Sequence, residues 1–223
     1  KILSTDGEPN FKFWKATNIL VTLGINLSVA AAYKPIIGIR FIKFSVLFKL
    51  KNKINIKIIT IIYSNKTLGR NAIKKIGFPL VDSVIQRSLV ATGGTVLASK
   101  LAINYGLACN TAGGSHHANF DGGAGYCIFN DVAVATHYLL DRGLAGRILI
   151  LDLDVHQGNG NSDIFKDNKN VFTFSMHSKN NYPSKKSISD LDVELNDNME
   201  DYDYLKVLKY YLTQLNEENF DFV

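Results

Sequence analysis

Cysteine, proline, tryptophan and histidine are all scarce: two, four, one and five in 223 residues. Cys109 and Cys127 cannot build a disulfide framework, which excludes a small stapled fold; both thiols are read as reduced, in a cytosol-like compartment. Few prolines beside 46% hydrophobic residues exclude a Pro-rich low-complexity chain and leave a globular composition. A long apolar run is missing too. Ile19–Tyr33 spans 15 residues and closes at Lys34, short of the ~18 that would cross a bilayer. No basic start and small-residue cleavage site frames a signal peptide. The first residue, Lys1, is not Met, so the chain is expected to be a fragment or a processed product.

Acid is absent from one half. Between Pro9 and Val81 there are 13 Lys or Arg and no Asp or Glu, giving +12 over residues 1–81 against −7 over 82–223. Residues 18–66 are rich in Ile, Lys, Asn and Phe, yet show neither a period of 3.6 nor an alternation. Residues 1–73 are therefore read as an atypical basic segment of poorly specified sequence. An inserted β-rich or membrane-adhering segment and a nucleic-acid face are the weaker alternatives. No specific nucleic-acid partner and no membrane span are expected.

From Lys74 the chain becomes orderly. Ser83–Tyr105 carries apolar residues at helical spacing and stops at Gly106. Leu107–Thr111 reads as a short buried strand. Asp131–Asp141 reads as a helix closed by Gly143. Arg147–Val155 opens with the apolar run Ile148–Leu151 of a strand covered on both faces. Val171–Met176 reads as a strand, Asp203–Leu215 as an amphipathic helix, and Phe220–Val223 as the start of another strand. Strands alternating with helices predict an α/β fold: a three-layer, mostly parallel sheet with helices on both faces. Chemistry in such folds collects beyond the carboxyl ends of the strands.

Two polar clusters fall at that edge. In LDLDVHQGNG, residues 151–160, an extended chain would put Asp152, Asp154 and His156 on one face. Three ionisable groups after an apolar run are costly to bury unpaired, and a metal ion resolves this because carboxylate and imidazole are both zinc ligands. A hydrogen-bonded strand end with a solvated histidine is the plainer alternative. Gly158 and Gly160 favour the metal by letting backbone turn tightly around an ion. The second cluster is GGSHHANFDGGAGYCIFN, residues 113–130, in which His116 and His117 sit between glycines. On an irregular loop both can face one cavity, where imidazole suits acid–base work.

Together, GGSHHANFDGGAGYCIFND and ILDLDVHQGNG resemble the histone deacetylase superfamily, with acetoin-utilisation and acetylpolyamine amidohydrolase relatives; the HQGNG form is most similar to the class IV group and bacterial members. The similarity runs from about Ile76 to Val223, through FTFSMHSKNNYP and SDLDVEL. Residues 74–223 are thus expected to be a partial deacetylase catalytic domain of arginase/deacetylase-like fold, incomplete at its C-terminus. The resemblance implies a zinc-dependent hydrolase that removes acetyl groups from N-acetyl-lysine or a related acetylated small amine. It implies Asp154 and His156 as zinc ligands and His116 and His117 as the catalytic pair, with His117 the base. Asp152 would orient His116, and Asn159, where some members carry aspartate, would orient His117. Gly125, Tyr126 and Tyr182 would line the substrate channel. Backbone groups that include Ser175 and Met176 would hold a structural potassium ion. His177 would be scaffolding, and His137 has no implied role.

The same resemblance expects a third zinc ligand, an aspartate just after the strand that NFDFV begins, and further on a tyrosine that assists the oxyanion. Neither lies within the 223 residues, so a truncated or degenerate member without catalysis is the alternative reading. An arginase-like two-metal hydrolase is the other, and the His116–His117 dyad argues against it. The expected compartment is the cytoplasm, or the nucleus should the source be a eukaryote. Substrate identity and oligomeric state have no signature in the sequence.

Overall fold

The computed structural model describes residues 68–223. The expectations placed on residues 1–67, the apolar run and the basic segment among them, lie outside the described residues. Helix α1 spans Arg70–Ile76, α2 Asp82–Tyr105 and α3 Asp131–Asp141. Strand β1 (Ile148–Asp152), helix α4 (Asn159–Phe165), strands β2 (Val171–Ser178) and β3 (Leu191–Leu195) and helix α5 (Asp201–Leu215) follow.

The strands pair in the order β1-β2-β3, all parallel, with Ile148 opposite Val171 and Phe174 opposite Leu191. Phe222 bridges Ile148 on the other side of β1, again parallel, so the expected final strand begins there. Alternation sorts the side chains onto two faces. Leu149, Phe174, Met176, Val193 and Leu195 meet Leu215 and the half-buried Val207 and Leu208 of α5. Ile150 and Val171 meet Ala133 of α3 and Phe165 of α4 on the opposite face. The result is the three-layer α/β arrangement that the apolar run Ile148–Leu151 implied. Outside these layers α2 packs on α3, through Leu89 and Val96 against Val134 and Ala135. Among the described residues no helix is long and apolar enough to cross a membrane.

Two expectations need correction. Among the described residues Leu107–Thr111 is not the buried strand expected: only Ala108 makes a β-bridge, Leu107 is 60% exposed, and the Asn110 side chain bonds to the Ala91 carbonyl and to Thr95 of α2. The histidine pair therefore follows a loop. The strand expected over Arg147–Val155 ends at Asp152, because the Asp152 carboxylate accepts the Asp154 N–H and Asp154 accepts the His156 N–H. These two successive turns bend the chain off the sheet.

Candidate active site at the carboxyl end of the first strand

The site is built where β1 ends. His116 and His117 are 7% and 5% exposed, with ring centroids 4.1 Å apart, and each ring is held by its own partner. His116 Nδ1 lies 2.6 Å from Asp152 Oδ2, and His117 Nδ1 lies 2.7 Å from Asn159 Oδ1. A carboxylate and an amide oxygen can only accept, so each Nδ1 carries the proton and each Nε2 is left for other work.

The two imidazoles differ in charge. For His116, burial pushes the pKa down, but the bond and charge of Asp152, with Asp154 and Asp131 behind it, more than reverse this. His116 stands above its ordinary 6.5. For His117, burial and the neighbouring His116 lower the value to about 4, and the neutral Asn159 only partly opposes them. The two rings therefore lean in opposite directions: His116 takes a proton more readily than a free imidazole, and His117 is neutral at pH 7. Nearby Cys127 is no rival nucleophile, since burial raises its thiol to about 11.

Asp154 and His156 stand on the turns beyond β1, not on one strand face with Asp152 as an extended chain would have placed them. Their side chains are 49% and 38% exposed, with Asp154 Oδ1 3.0 Å from His156 Nδ1. Two donors sharing one tetrahedral zinc at ~2.0–2.1 Å would stand about 3.3 Å apart, so this pair fits two of its ligands. His116 Nε2 lies 3.8 Å from Asp154 Oδ1, which sets the pair beside the histidines. Among the described residues no three His, Cys, Asp or Glu side chains converge as a metal site. The fit is thus to part of a catalytic zinc set, which ordinarily has three protein ligands.

The remaining expected residues fall around this centre. Tyr182 meets the His117 ring edge-on at 4.8 Å. Gly125 has φ +52° and lies so close that a Cβ would stand 2.6 Å from the His117 ring, so both backbone and space require glycine. Tyr126, 72% exposed, has φ +64°; its N–H bonds the Ile76 carbonyl and its ring stacks on Phe78 at 6.0 Å. Ser175 stands opposite Asp152 in the sheet register and accepts the Gly158 N–H, whereas the Met176 side chain lies in the core against α5. Only the backbone of Met176 could face a cation. His177, 1% exposed, bonds Ser175.

Gly158 and Gly160 have a different use from the one expected. A Cβ on Gly158 would collide with the Asp152 carboxylate, and one on Gly160 with the backbone of His116, His117 and Ala118. They bring α4 against the histidine loop. Sequence reasoning missed Asn130 and Asn161. Asn130 caps α3 through the Ala133 N–H and donates to the Ala118 carbonyl and to Asn161, while Asn161 donates to Asp152 Oδ2 at 3.3 Å. The available signal was the Asn-Asp pair before an apolar helix, the usual mark of an N-terminal cap.

The chain is similar to several known proteins. An uncharacterized protein of Picosynechococcus sp. is 52% identical over 153 residues, 69% of this chain and 51% of its own length. Histone deacetylase 2 of Arabidopsis thaliana is 41% identical over 91 residues, covering 41% of this chain and 24% of that protein. Acetylpolyamine amidohydrolase 2 of Pseudomonas aeruginosa is 53% identical over 62 residues, 28% of this chain and 18% of that one. The crystal structure of a histone deacetylase homologue from Aquifex aeolicus superimposes with a TM-score of 0.58 at 26% identity, over 70% of this chain and 46% of the other. The chain thus spans about half the length of the Picosynechococcus relative and of the solved structure it matches. The histone deacetylase domain model matches residues 50–221, a segment that contains both histidines, both donors and the whole sheet, and on that match the chain belongs to the histone deacetylase family.

Proposed function

We propose that the chain carries the histidine-pair side of a zinc-dependent deacetylase site acting on N-acetyl-lysine or a related acetylated amine. The observation that supports it most is the split pair: His116 on a carboxylate at 2.6 Å and His117 on an amide at 2.7 Å, beside two zinc-type donors. Asp154 and His156 would hold the metal, which supplies Lewis acidity and a water acidified toward neutral pH. His117, neutral at pH 7 with Nδ1 fixed by Asn159, offers Nε2 as proton acceptor and later returns the proton to the leaving amine. His116, held by Asp152 and shifted toward protonation, supplies electrostatic support beside His117. Tyr182 and the Gly125–Tyr126 turn wall the approach to His117, where an acyl-lysine side chain would enter. Ser175 and the Met176 backbone would belong to a potassium site under the β1–β2 ends. Free Cys109 and Cys127 suit a reducing compartment, cytoplasmic or nuclear.

A second reading, a family member without turnover, draws on the donor count among the described residues: two where catalysis wants three. Zinc stoichiometry of the purified chain, measured after dialysis against a mild chelator, separates the two. The proposal expects one zinc per chain, lost in Asp154→Ala and retained in His117→Ala. It also expects His117→Ala to lower turnover of an acetyl-lysine peptide by about 10²–10⁴. A chain that retains no zinc supports the second reading, and near-wild-type turnover in His117→Ala removes that residue as the base.

A further inference from the structure

The loop that presents the histidines has its own anchor in a part of the molecule the chemistry does not use. Asp131, the first residue of α3, is 1% exposed and forms no Lys or Arg ion pair among the described residues. Its carboxylate accepts the Ser115 N–H at 2.7 Å and the Gly114 N–H at 3.1 Å, the two amides directly before His116. It also accepts the Thr95 hydroxyl from the middle of α2 at 2.5 Å. Thr95 Oγ1 in turn receives Asn110 Nδ2 at 2.7 Å, and the same nitrogen donates to the Ala91 carbonyl of α2 at 2.9 Å. Asn110 Oδ1 closes the set by accepting the Ala112 N–H at 3.2 Å.

Two glycines make room for this relay. A Cβ on Gly113 would stand 2.5 Å from Asp131 Oδ2 and 2.6 Å from Thr95 Oγ1, and one on Gly94 would press the Asn110 side chain at 3.0 Å. Asn130 pins the far end of the loop at the Ala118 carbonyl. Neighbouring residues of one helix therefore grip the histidine loop before and behind.

We infer that Asp131, with Thr95 and Asn110 behind it, is the positioning device for His116 and His117, coupling α2 to the loop so that the pair meets Asp152 and Asn159. A buried carboxylate with three donors is satisfied only in one arrangement of loop and helix, because every lost donor leaves an acceptor buried and unpaired. The interatomic geometry alone carries this coupling. Its value to catalysis rests on reading the histidines as the reacting pair.

The test uses the full chain, with Asp131→Asn, Thr95→Val and Thr95→Ser compared with wild type by NMR and amide hydrogen exchange. Asp131→Asn should speed exchange at Gly114 and Ser115 by about 10- to 100-fold, the factor expected from losing a hydrogen bond to a carboxylate. It should also shift or broaden the His116 Nδ1–H signal, while amides of β1–β3 keep wild-type rates. Thr95→Val, which keeps the shape and loses the hydroxyl, should move the same signals in the same direction. Thr95→Ser should restore them. If Asp131→Asn does not fold, the two Thr95 variants decide. Unchanged loop amides and imidazole signals in Thr95→Val overturn the inference, and so does an acceleration spread evenly over the sheet, which would mark a merely structural role. These readouts need neither metal nor turnover, so a wild-type chain that fails to deacetylate would sink the proposed function and leave the coupling standing.

Discussion

Burying two imidazoles side by side requires that they not both be charged, and the partners settle which one takes a proton more readily. Asp152 is an anion when ionised and Asn159 is not, so two neighbouring rings of the same chemistry acquire opposite leanings. Replacing Asn159 by Asp places a negative charge 2.7 Å from His117 Nδ1 with little change in shape. The His117 pKa, about 4 in the wild-type chain, should then rise, readable by NMR titration of the imidazole carbons in the metal-free protein. No upward movement in Asn159→Asp would mean that the amide does not set the charge of His117. At this scale the sequence was informative about types and poor about directions. GGSHH and LDLDVH announced a polar centre, but the facing of Asp154 and His156 depends on two side-chain-to-backbone turns that a strand template does not contain. Asp131 reads in the sequence only as the first residue of a helix, because its three donors come from residues 16 to 36 positions away.

Elements were legible where burial imposes a period. The long helix α2, the helix α3 and the strand β1 each follow from spaced or continuous apolar residues; Leu89, Val96, Val134 and Ile150 are buried as that spacing requires, while Val90 and Leu101 of α2 stay exposed. Helix α4 and strand β3 went unread for opposite reasons. NGNSDIF is poor in helix formers and is held by Phe165, 1% exposed, and by the Ser162 hydroxyl on the Gly158 carbonyl. LDVEL alternates, but its Asp192 is spent on a polar network with Gln157 and Ser189 that no local pattern announces. The glycines make the same point at element scale. Gly93 sits inside α2 with nothing among the described residues within 4 Å of a Cβ, so Gly93→Ala should stabilise by about 0.5–1 kcal/mol through helix propensity. Gly160→Ala drives a methyl into the backbone of the histidine loop and should destabilise by about 1–3 kcal/mol. Urea unfolding of the two variants checks both signs, and a neutral Gly160→Ala would show that α4 can retreat from the loop.

Over the whole molecule, the apolar faces of the sheet supply burial while the site at its edge works against it. Beside β1 a cavity of about 500 Å³ runs from His116 and Asp154 to Leu139 and Phe222, so the polar centre is not sealed from the space along the strand edge. Stability should therefore depend on pH through the pair. His117 resists protonation when folded but takes a proton near pH 6.5 when unfolded, so its contribution to stability is intact above 6.5 and is lost as pH falls toward about 4. His116, shifted up, contributes the reverse: stability present below 6.5 that declines as pH rises through its folded value. Carboxylates add their own acid dependence, which a single curve would not separate from that of His117. The separating measurement is the urea midpoint of the metal-free chain and of His117→Asn at pH 7 and at pH 5. Asparagine does not titrate, so the fall between the two pH values should be smaller in the variant than in the wild type. An equal fall in both would mean that His117 is protonated as readily in the folded chain as in the unfolded one, and the assignment of a neutral base beside a charged partner would fail with it.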